Sequence, residues 1–169
     1  MQKYFAKLYT KERSPLKVNF KDSLIGLIGG FITIGLLAYL TKETKTPWII
    51  APFGASCVLA FGAWNAPLSQ PRNIIGGHII ATTIGILCYN LLGNTPISLA
   101  LGVGISIFAM LLTKTTHPPA GADPLVVIVA GSSWSFLIHP LILGCLVIVI
   151  LAILINNLSS VRKYPVFWI

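Results

Sequence analysis

The stretch His117-Pro118-Pro119-Ala120-Gly121-Ala122-Asp123-Pro124 decides how this chain is read. It lies between apolar runs, yet it holds three prolines, a histidine and a carboxylate. Proline removes a backbone donor and clashes with the preceding helical turn. The residue before each proline is pushed towards extended backbone. The stretch therefore predicts no regular helix. At membrane depth, such backbone survives only where protein buries it or where it lines a wet cavity. Working outward, Leu125 to Ala130 predicts a half-length helix that ends at Gly131-Ser132-Ser133, too short to cross a bilayer alone.

Composition sets the environment. Of the 169 residues, 55% are hydrophobic and only 9% charged, and the mean hydropathy is +0.84. Soluble domains carry roughly 25% charged residues, so the chain reads as one integral membrane domain with the lipid bilayer as its partner. The net charge is +8, and six of the twelve basic residues precede the first apolar run: Lys3, Lys7, Lys11, Arg13, Lys17 and Lys21. Such a cluster reads as a cytoplasmic flank beside anionic lipid. A nucleic-acid partner is not expected, because no fold-sized soluble region exists to bind one. The basic region is too long for a cleavable signal peptide. Cys57, Cys88 and Cys145 each lie inside an apolar run with no CxxC spacing, so they read as small buried hydrophobes.

Taken in order, residues 1–22 form a basic cytoplasmic segment with Tyr4, Phe5, Leu8 and Tyr9 interspersed. A single transmembrane domain covers 23–158, and 159–169 form a cytoplasmic tail. The first span is 23–40, with Gly26 and Gly30 at a spacing that lets helices approach closely. The second, 47–63, is short, and its run Ala51-Pro52-Phe53-Gly54-Ala55-Ser56 predicts a broken or delayed helix. Residues 73–92 and 97–113 are further spans, separated by the turn Gly93-Asn94-Thr95-Pro96. The last span is 137–158. Trp48, Trp64, Trp134 and Trp168 fall near span ends, as an aromatic belt requires.

The two broken segments resemble each other. Pro52-Phe53-Gly54-Ala55-Ser56 aligns with Pro119-Ala120-Gly121-Ala122-Asp123 at an offset of 67 (119 minus 52), and Leu40-Thr41-Lys42 aligns with Leu112-Thr113-Lys114 at an offset of 72 (112 minus 40). The expected fold is thus an all-α membrane protein of six transmembrane segments. They form two inverted three-segment repeats, about 23–92 and 97–158, each with a broken or half-length helix. Charge supports six crossings. Six N-terminal basic residues plus Arg72, Lys114, Arg162 and Lys163 then face the cytoplasm, and only Lys42 and Lys45 face away, a split of 10 to 2. Four crossings give 8 to 4. Both termini are cytoplasmic in either case.

Paired broken helices bring their N-termini together inside the bilayer, where free N–H groups favour an anion. The expected substrate-binding residues are Phe53, Gly54, Ala55, Ser56, His78, His117, Pro118, Pro119, Gly121, Ala122 and Asp123, with Arg72 and Lys114 in a vestibule. Gly54 and Gly121 leave room for close approach to the backbone. Asp123 is the one acidic residue within the apolar region, and such carboxylates are costly and functional by default. It either caps the half-helix or pairs with Arg72, Lys114 or a histidine, or takes a proton. His78 and His117 either line the pathway and titrate near neutral pH or serve a structural role.

Three motifs, THPPAGADPL at Thr116–Leu125, APFGAS at Ala51–Ser56 and PLSQPRNIIGGH at Pro67–His78, resemble the HPP family of integral membrane proteins. The family takes its name from the motif seen here as His117-Pro118-Pro119. The resemblance covers nearly all of residues 20–158. Plant and cyanobacterial members are implicated in nitrite transport, so it implies a channel or transporter for a small inorganic anion, nitrite above others, in a bacterial-type plasma membrane. Two alternatives stand beside it. One is a proton- or cation-coupled carrier using Asp123. The other is a membrane-embedded enzyme or metal site using His78, His117 and Asp123, although no local ligand spacing such as HExxH supports it. No enzyme activity, metal or cofactor is expected. The glycine-rich faces are compatible with a homo-oligomer.

Overall fold

The computed structural model describes residues 5–15 and 19–169. Lys3, Tyr4 and Lys17 of the basic segment lie outside the described residues. Six helices carry the fold: α1 (Phe20–Thr44), α2 (Ala51–Gly62), α3 (Pro71–Leu92), α4 (Pro96–Leu112), α5 (Pro118–Ala130) and α6 (Leu137–Asn156). Among the described residues there is no strand. At 25, 22 and 20 residues, α1, α3 and α6 are long and apolar enough to cross a membrane, whereas α2, α4 and α5 are shorter.

Local chemistry sets the helix ends. The Asn19 side chain accepts from the backbone N–H groups of Lys21 and Asp22, so α1 starts at residue 20 rather than 23. It runs on to Thr44, past the expected end at 40, and Lys45 stops it in the left-handed region at φ 54°. Of the broken or delayed helix expected around Pro52, the structure shows the delay: Pro52 begins a helix rather than breaking one. Proline within the first turn forgoes an N–H that has no intrahelical partner there. The delay falls instead on the extended residues before Ala51. In the same way α5 opens as a 3-10 turn over Pro118–Ala122 and becomes α-helical at Asp123, so Pro124 is helical rather than irregular. The irregular backbone of the motif is confined to its entry, where His117 is extended (φ −138°, ψ 101°). His139-Pro140 puts a kink inside α6, with His139 at φ −130° and ψ 120°.

Hydrogen bonds order the bundle. The start of α1 (Asp22), the end of α2 (Phe61 carbonyl) and the end of α6 (Asn156) all meet Arg162. The entry to α3 meets the segment after α6, because the Tyr164 hydroxyl donates to the Ser69 carbonyl at 2.7 Å. The end of α4 meets the start of α3, because Arg72 Nη2 donates to the Thr113 carbonyl at 3.0 Å. At the opposite end, Trp48 packs edge-on to His139, and Gly131 after α5 lies against Tyr89 of α3. The six helices therefore alternate in direction, and α1 starts where α6 finishes. Arg72, Lys114 and Arg162 gather at that shared end, with Lys42 and Lys45 at the other.

Close approach depends on absent side chains. A Cβ on Gly77 would stand 2.7 Å from His117 Cβ and 2.9 Å from the Thr115 carbonyl. Two turns on, a Cβ on Gly85 would stand 2.7 Å from Pro124 Cα. The strip Gly77, Ala81, Gly85 on α3 thus lets the motif and α5 lie directly on the α3 backbone, which fixes the site. In α1 it is Gly29, against the Phe61 ring, that makes the close approach; Gly26 and Gly30 face open space.

Candidate functional site

Four side chains with no solvent exposure join α2, α3 and α5: Ser56, His78, His117 and Asp123. Asp123 Oδ2 lies 2.6 Å from His78 Nδ1. His78 Nε2 lies 2.8 Å from Ser56 Oγ. The same Oγ lies 2.9 Å from His117 Nε2. His117 Nδ1 lies 2.8 Å from the Leu68 carbonyl. The result is one hydrogen-bonded chain, Asp123–His78–Ser56–His117–Leu68 carbonyl, with one branch at Ser56. Ser56 Oγ is also 3.2 Å from the Pro52 carbonyl one turn back in α2.

Each member is held by its element. His78 sits two turns into α3, next to Gly77, where the extended His117 backbone crosses the helix. Ser56 is on the buried face of α2, and the preceding Phe53 ring stands edge-on to His78 at 5.6 Å between centroids. The two imidazoles face each other at 5.0 Å and 64°. Asp123 does not cap α5, since no cap hydrogen bond from a side chain is present at that start; of the partners weighed from sequence it takes a histidine. Its Oδ1 has no hydrogen bond within ordinary limits among the described residues, but the buried Thr82 hydroxyl on α3 lies beside the carboxylate. Ser56 and Asp123, the positions paired by the sequence repeat, both bond to His78.

The expected site residues thus divide. Phe53, Ser56, His78, His117 and Asp123 are buried in or against the chain. Ala55, Pro118, Pro119 and Ala122 line a groove of about 540 Å³ between the first turns of α2 and α5, together with Ala51, Pro52, Val58 and Leu59. That groove is apolar throughout. A Cβ on Gly54 or Gly121 would meet nothing within 4 Å, so both backbones are open to approach. Arg72 and Lys114 come together at the basic end, lining a cleft of about 370 Å³ with Pro67, Asn73, Phe167 and Ile169.

The order Ser56–His78–Asp123 is that of a nucleophile, its base and the orienting carboxylate. Here the hydroxyl is shared between two imidazoles and buried, so no face of Oγ is open to a substrate carbonyl. Among the described residues no three His, Cys, Asp or Glu side chains converge as a metal site would require. What the chain can do is hold and redistribute protons, because every link joins groups able to donate or accept.

Sequence reading missed a second buried polar cluster. Arg162, taken as a cytoplasmic flank residue, has a side chain only 1% exposed. Its Nε and Nη2 donate to Asp22 Oδ1 at 3.0 and 2.7 Å, and its Nη1 donates to Asn156 Oδ1 at 2.7 Å and the Phe61 carbonyl at 3.0 Å. The guanidinium also lies 5.7 Å from the Trp64 ring centroid.

The geometry defines a helical membrane protein with a buried proton-bearing chain where two short helices meet. The chain belongs to the HPP family: the family model described as "HPP, transmembrane region" matches residues 15–165. It is similar to two transmembrane proteins of Dictyostelium discoideum. One is 36% identical over 177 aligned positions, covering 98% of this chain and 57% of the relative. The other is 32% identical over 148 positions, covering 82% of this chain and 52% of the relative. The chain thus spans about half the length of these relatives. No solved structure matches it.

Proposed function

We propose that this protein is a channel or transporter for a small inorganic anion, with nitrite favoured by the family resemblance, in the plasma (inner) membrane. The observation that carries the reading is the buried Asp123–His78–Ser56–His117 chain beside the open groove between α2 and α5. Burying a carboxylate and two imidazoles in a membrane domain is costly, and such groups are retained mostly on substrate and proton pathways. The basic cleft of Arg72 and Lys114 supports an anion rather than a cation at the entrance. Its end of the bundle is the cytoplasmic one on this reading, because basic residues collect there. Six crossings as two inverted repeats fit the alternating helix directions and the pairing of Ser56 with Asp123.

The test is anion uptake into liposomes that hold the purified protein, comparing nitrite, nitrate, formate and chloride against protein-free liposomes at the same pH. Saturable, protein-dependent uptake of nitrite or nitrate is expected. Folded protein that moves none of the four anions would overturn the reading.

A further inference from the structure

Counting donors and acceptors along the chain constrains its protons. A carbonyl only accepts, so His117 Nδ1 carries a hydrogen and donates to Leu68. Suppose Asp123 is ionised and both imidazoles are neutral, His78 donating from Nδ1 to the carboxylate. Both Nε2 atoms are then bare, and both face Ser56 Oγ. The one hydroxyl hydrogen serves one of them, and at the other two lone pairs meet at 2.8 or 2.9 Å. That count also leaves a buried net negative charge, which is unfavourable twice over.

One added proton satisfies every link. With it on the His78–Asp123 pair, His78 Nε2–H donates to Ser56, the Ser56 hydroxyl donates to His117 Nε2, and His117 donates to Leu68. With it on His117 instead, the same bonds run in reverse: His117 Nε2–H to Ser56, Ser56 to His78 Nε2, and His78 Nδ1–H to the carboxylate. Both arrangements are neutral overall. A second proton also fits. Both Nε2–H groups then donate to Ser56 Oγ, and its hydroxyl turns to the Pro52 carbonyl, 3.2 Å away. This state carries one net positive charge, directly behind the groove that Pro52, Pro118 and Pro119 line.

We propose that the Asp123–His78–Ser56–His117 chain is a proton-binding relay that holds one proton at rest and takes a second, on His117, only with an anion in the α2–α5 groove. The inference deepens the proposed transport function at the same site and makes it a symport of one proton with one anion. In the relay step, which runs while the chain holds one proton, the His117 Nε2 proton passes to Ser56 Oγ while the Ser56 proton passes to the bare His78 Nε2. No other bond changes, and the proton count is conserved. In the loaded state the anion's charge cancels the extra proton, so the buried site stays neutral throughout the cycle.

Few other titratable groups face this chain. From α2, α3 and α6 come the buried thiols of Cys57, Cys88 and Cys145, the last near Asp123, and α6 also carries His139, edge-on to Trp48. α4 contains no titratable residue, and those of α1 sit towards its ends, with Asp22 held by Arg162. On α3, Arg72 is bonded to the Thr113 carbonyl and Tyr89 lies at the far end beside Gly131. α5 adds none besides Asp123, and the preceding segment adds Lys114 in the basic cleft.

Two measurements on the full chain in lipid test the proposal. The first is 15N NMR of histidine-labelled protein at about pH 7.5, above the ordinary histidine range near 6.5, with His139 assigned by substitution. The relay requires a hydrogen on one Nε2 among His78 and His117; two bare Nε2 atoms would overturn it. The second is nitrate uptake into liposomes loaded with a pH-reporting dye, nitrate being chosen because its strong conjugate acid does not leak as a neutral molecule. One proton should enter per nitrate, independent of membrane potential, and proton entry should fall at least tenfold in His117→Gln. Nitrate entry without protons in the unaltered protein, or unchanged coupling in folded His117→Gln, would overturn the symport while leaving the permease standing. No anion flux at all would overturn the permease and with it the symport, and the NMR result would still decide the relay.

Discussion

Two buried polar networks hold this bundle, and they differ in one respect: whether their protons can move. At the basic end, Arg162 satisfies four acceptors with hydrogens that never leave it, since guanidinium stays protonated at any working pH. The Tyr164 phenol beside it behaves the same way. Burial pushes its ionisation above the ordinary tyrosine range, so it remains a donor to the Ser69 carbonyl. At the α2–α5 junction the groups are imidazoles, a hydroxyl and a carboxylate, and the count of hydrogens is adjustable. The first network has one proton arrangement and closes the two ends of the chain on each other. The second has several arrangements of equal bond count. A network with one arrangement is a fastener, and one with several can carry a function.

The comparison is broken most severely at His78. His78→Ala removes the partner of a fully buried Asp123 and one of the partners of Ser56. Losing one partner of a buried ionic pair costs about 3–5 kcal/mol. The expected outcome is the largest stability loss of any substitution considered, read as unfolding in mild detergent, together with loss of uptake. A loss below about 1 kcal/mol would mean that the chain is not the buried network described.

Arg162→Gln should come next. It strips hydrogen bonds from Asn156 Oδ1 and the Phe61 carbonyl, both buried, at about 1–3 kcal/mol for each group left unsatisfied. Asp22 is half exposed and regains water, so its share is small. Two such groups put the loss at about 2–6 kcal/mol, and the lower half of that range is expected because the Gln amide can still donate to one of them. The surviving folded fraction should keep its proton-to-anion ratio, because Arg162 does not touch the histidine chain. A changed ratio would show that the two networks are coupled.

How much of this could be read beforehand follows the same division. The junction was legible because its chemistry is local and out of place: a histidine, three prolines and a carboxylate within eight apolar-flanked residues draw notice wherever they fold. A histidine is one of several partners for Asp123 that charge alone leaves open, and only the fold selects His78. The junction role of Ser56 is not legible, since serine is ordinary in membrane helices and only the crossing of α3 by His117 brings a second imidazole to it. The burial of Arg162 is not legible because its partner, Asp22, lies 140 residues away and chain closure is invisible to a local reading. Whether Pro52 breaks or delays its helix stays open in the sequence because proline's position within a helix, rather than its presence, decides its effect.

The sharpest separation of the two networks is a matched pair of small changes, Asp22→Asn and Asp123→Asn. Each replaces a carboxylate by a neutral amide of the same shape. In the fastener the guanidinium cannot shed its proton. Asp22→Asn therefore leaves a charge 1% exposed without its counter-ion, and a loss of about 1–2 kcal/mol is expected after discounting for the exposure of Asp22. At the junction the amide does what the protonated pair does. Its N–H donates to His78 Nδ1, His78 Nε2–H donates to Ser56, Ser56 donates to His117, and every link is satisfied without an added proton. Asp123→Asn is thus expected to cost less than about 1 kcal/mol despite complete burial, the smaller effect at the more buried site. The order of the two unfolding free energies checks this directly. If Asp123→Asn proves the costlier, the carboxylate at the junction carries a fixed charge, and the contrast between a fixed and a movable proton set fails.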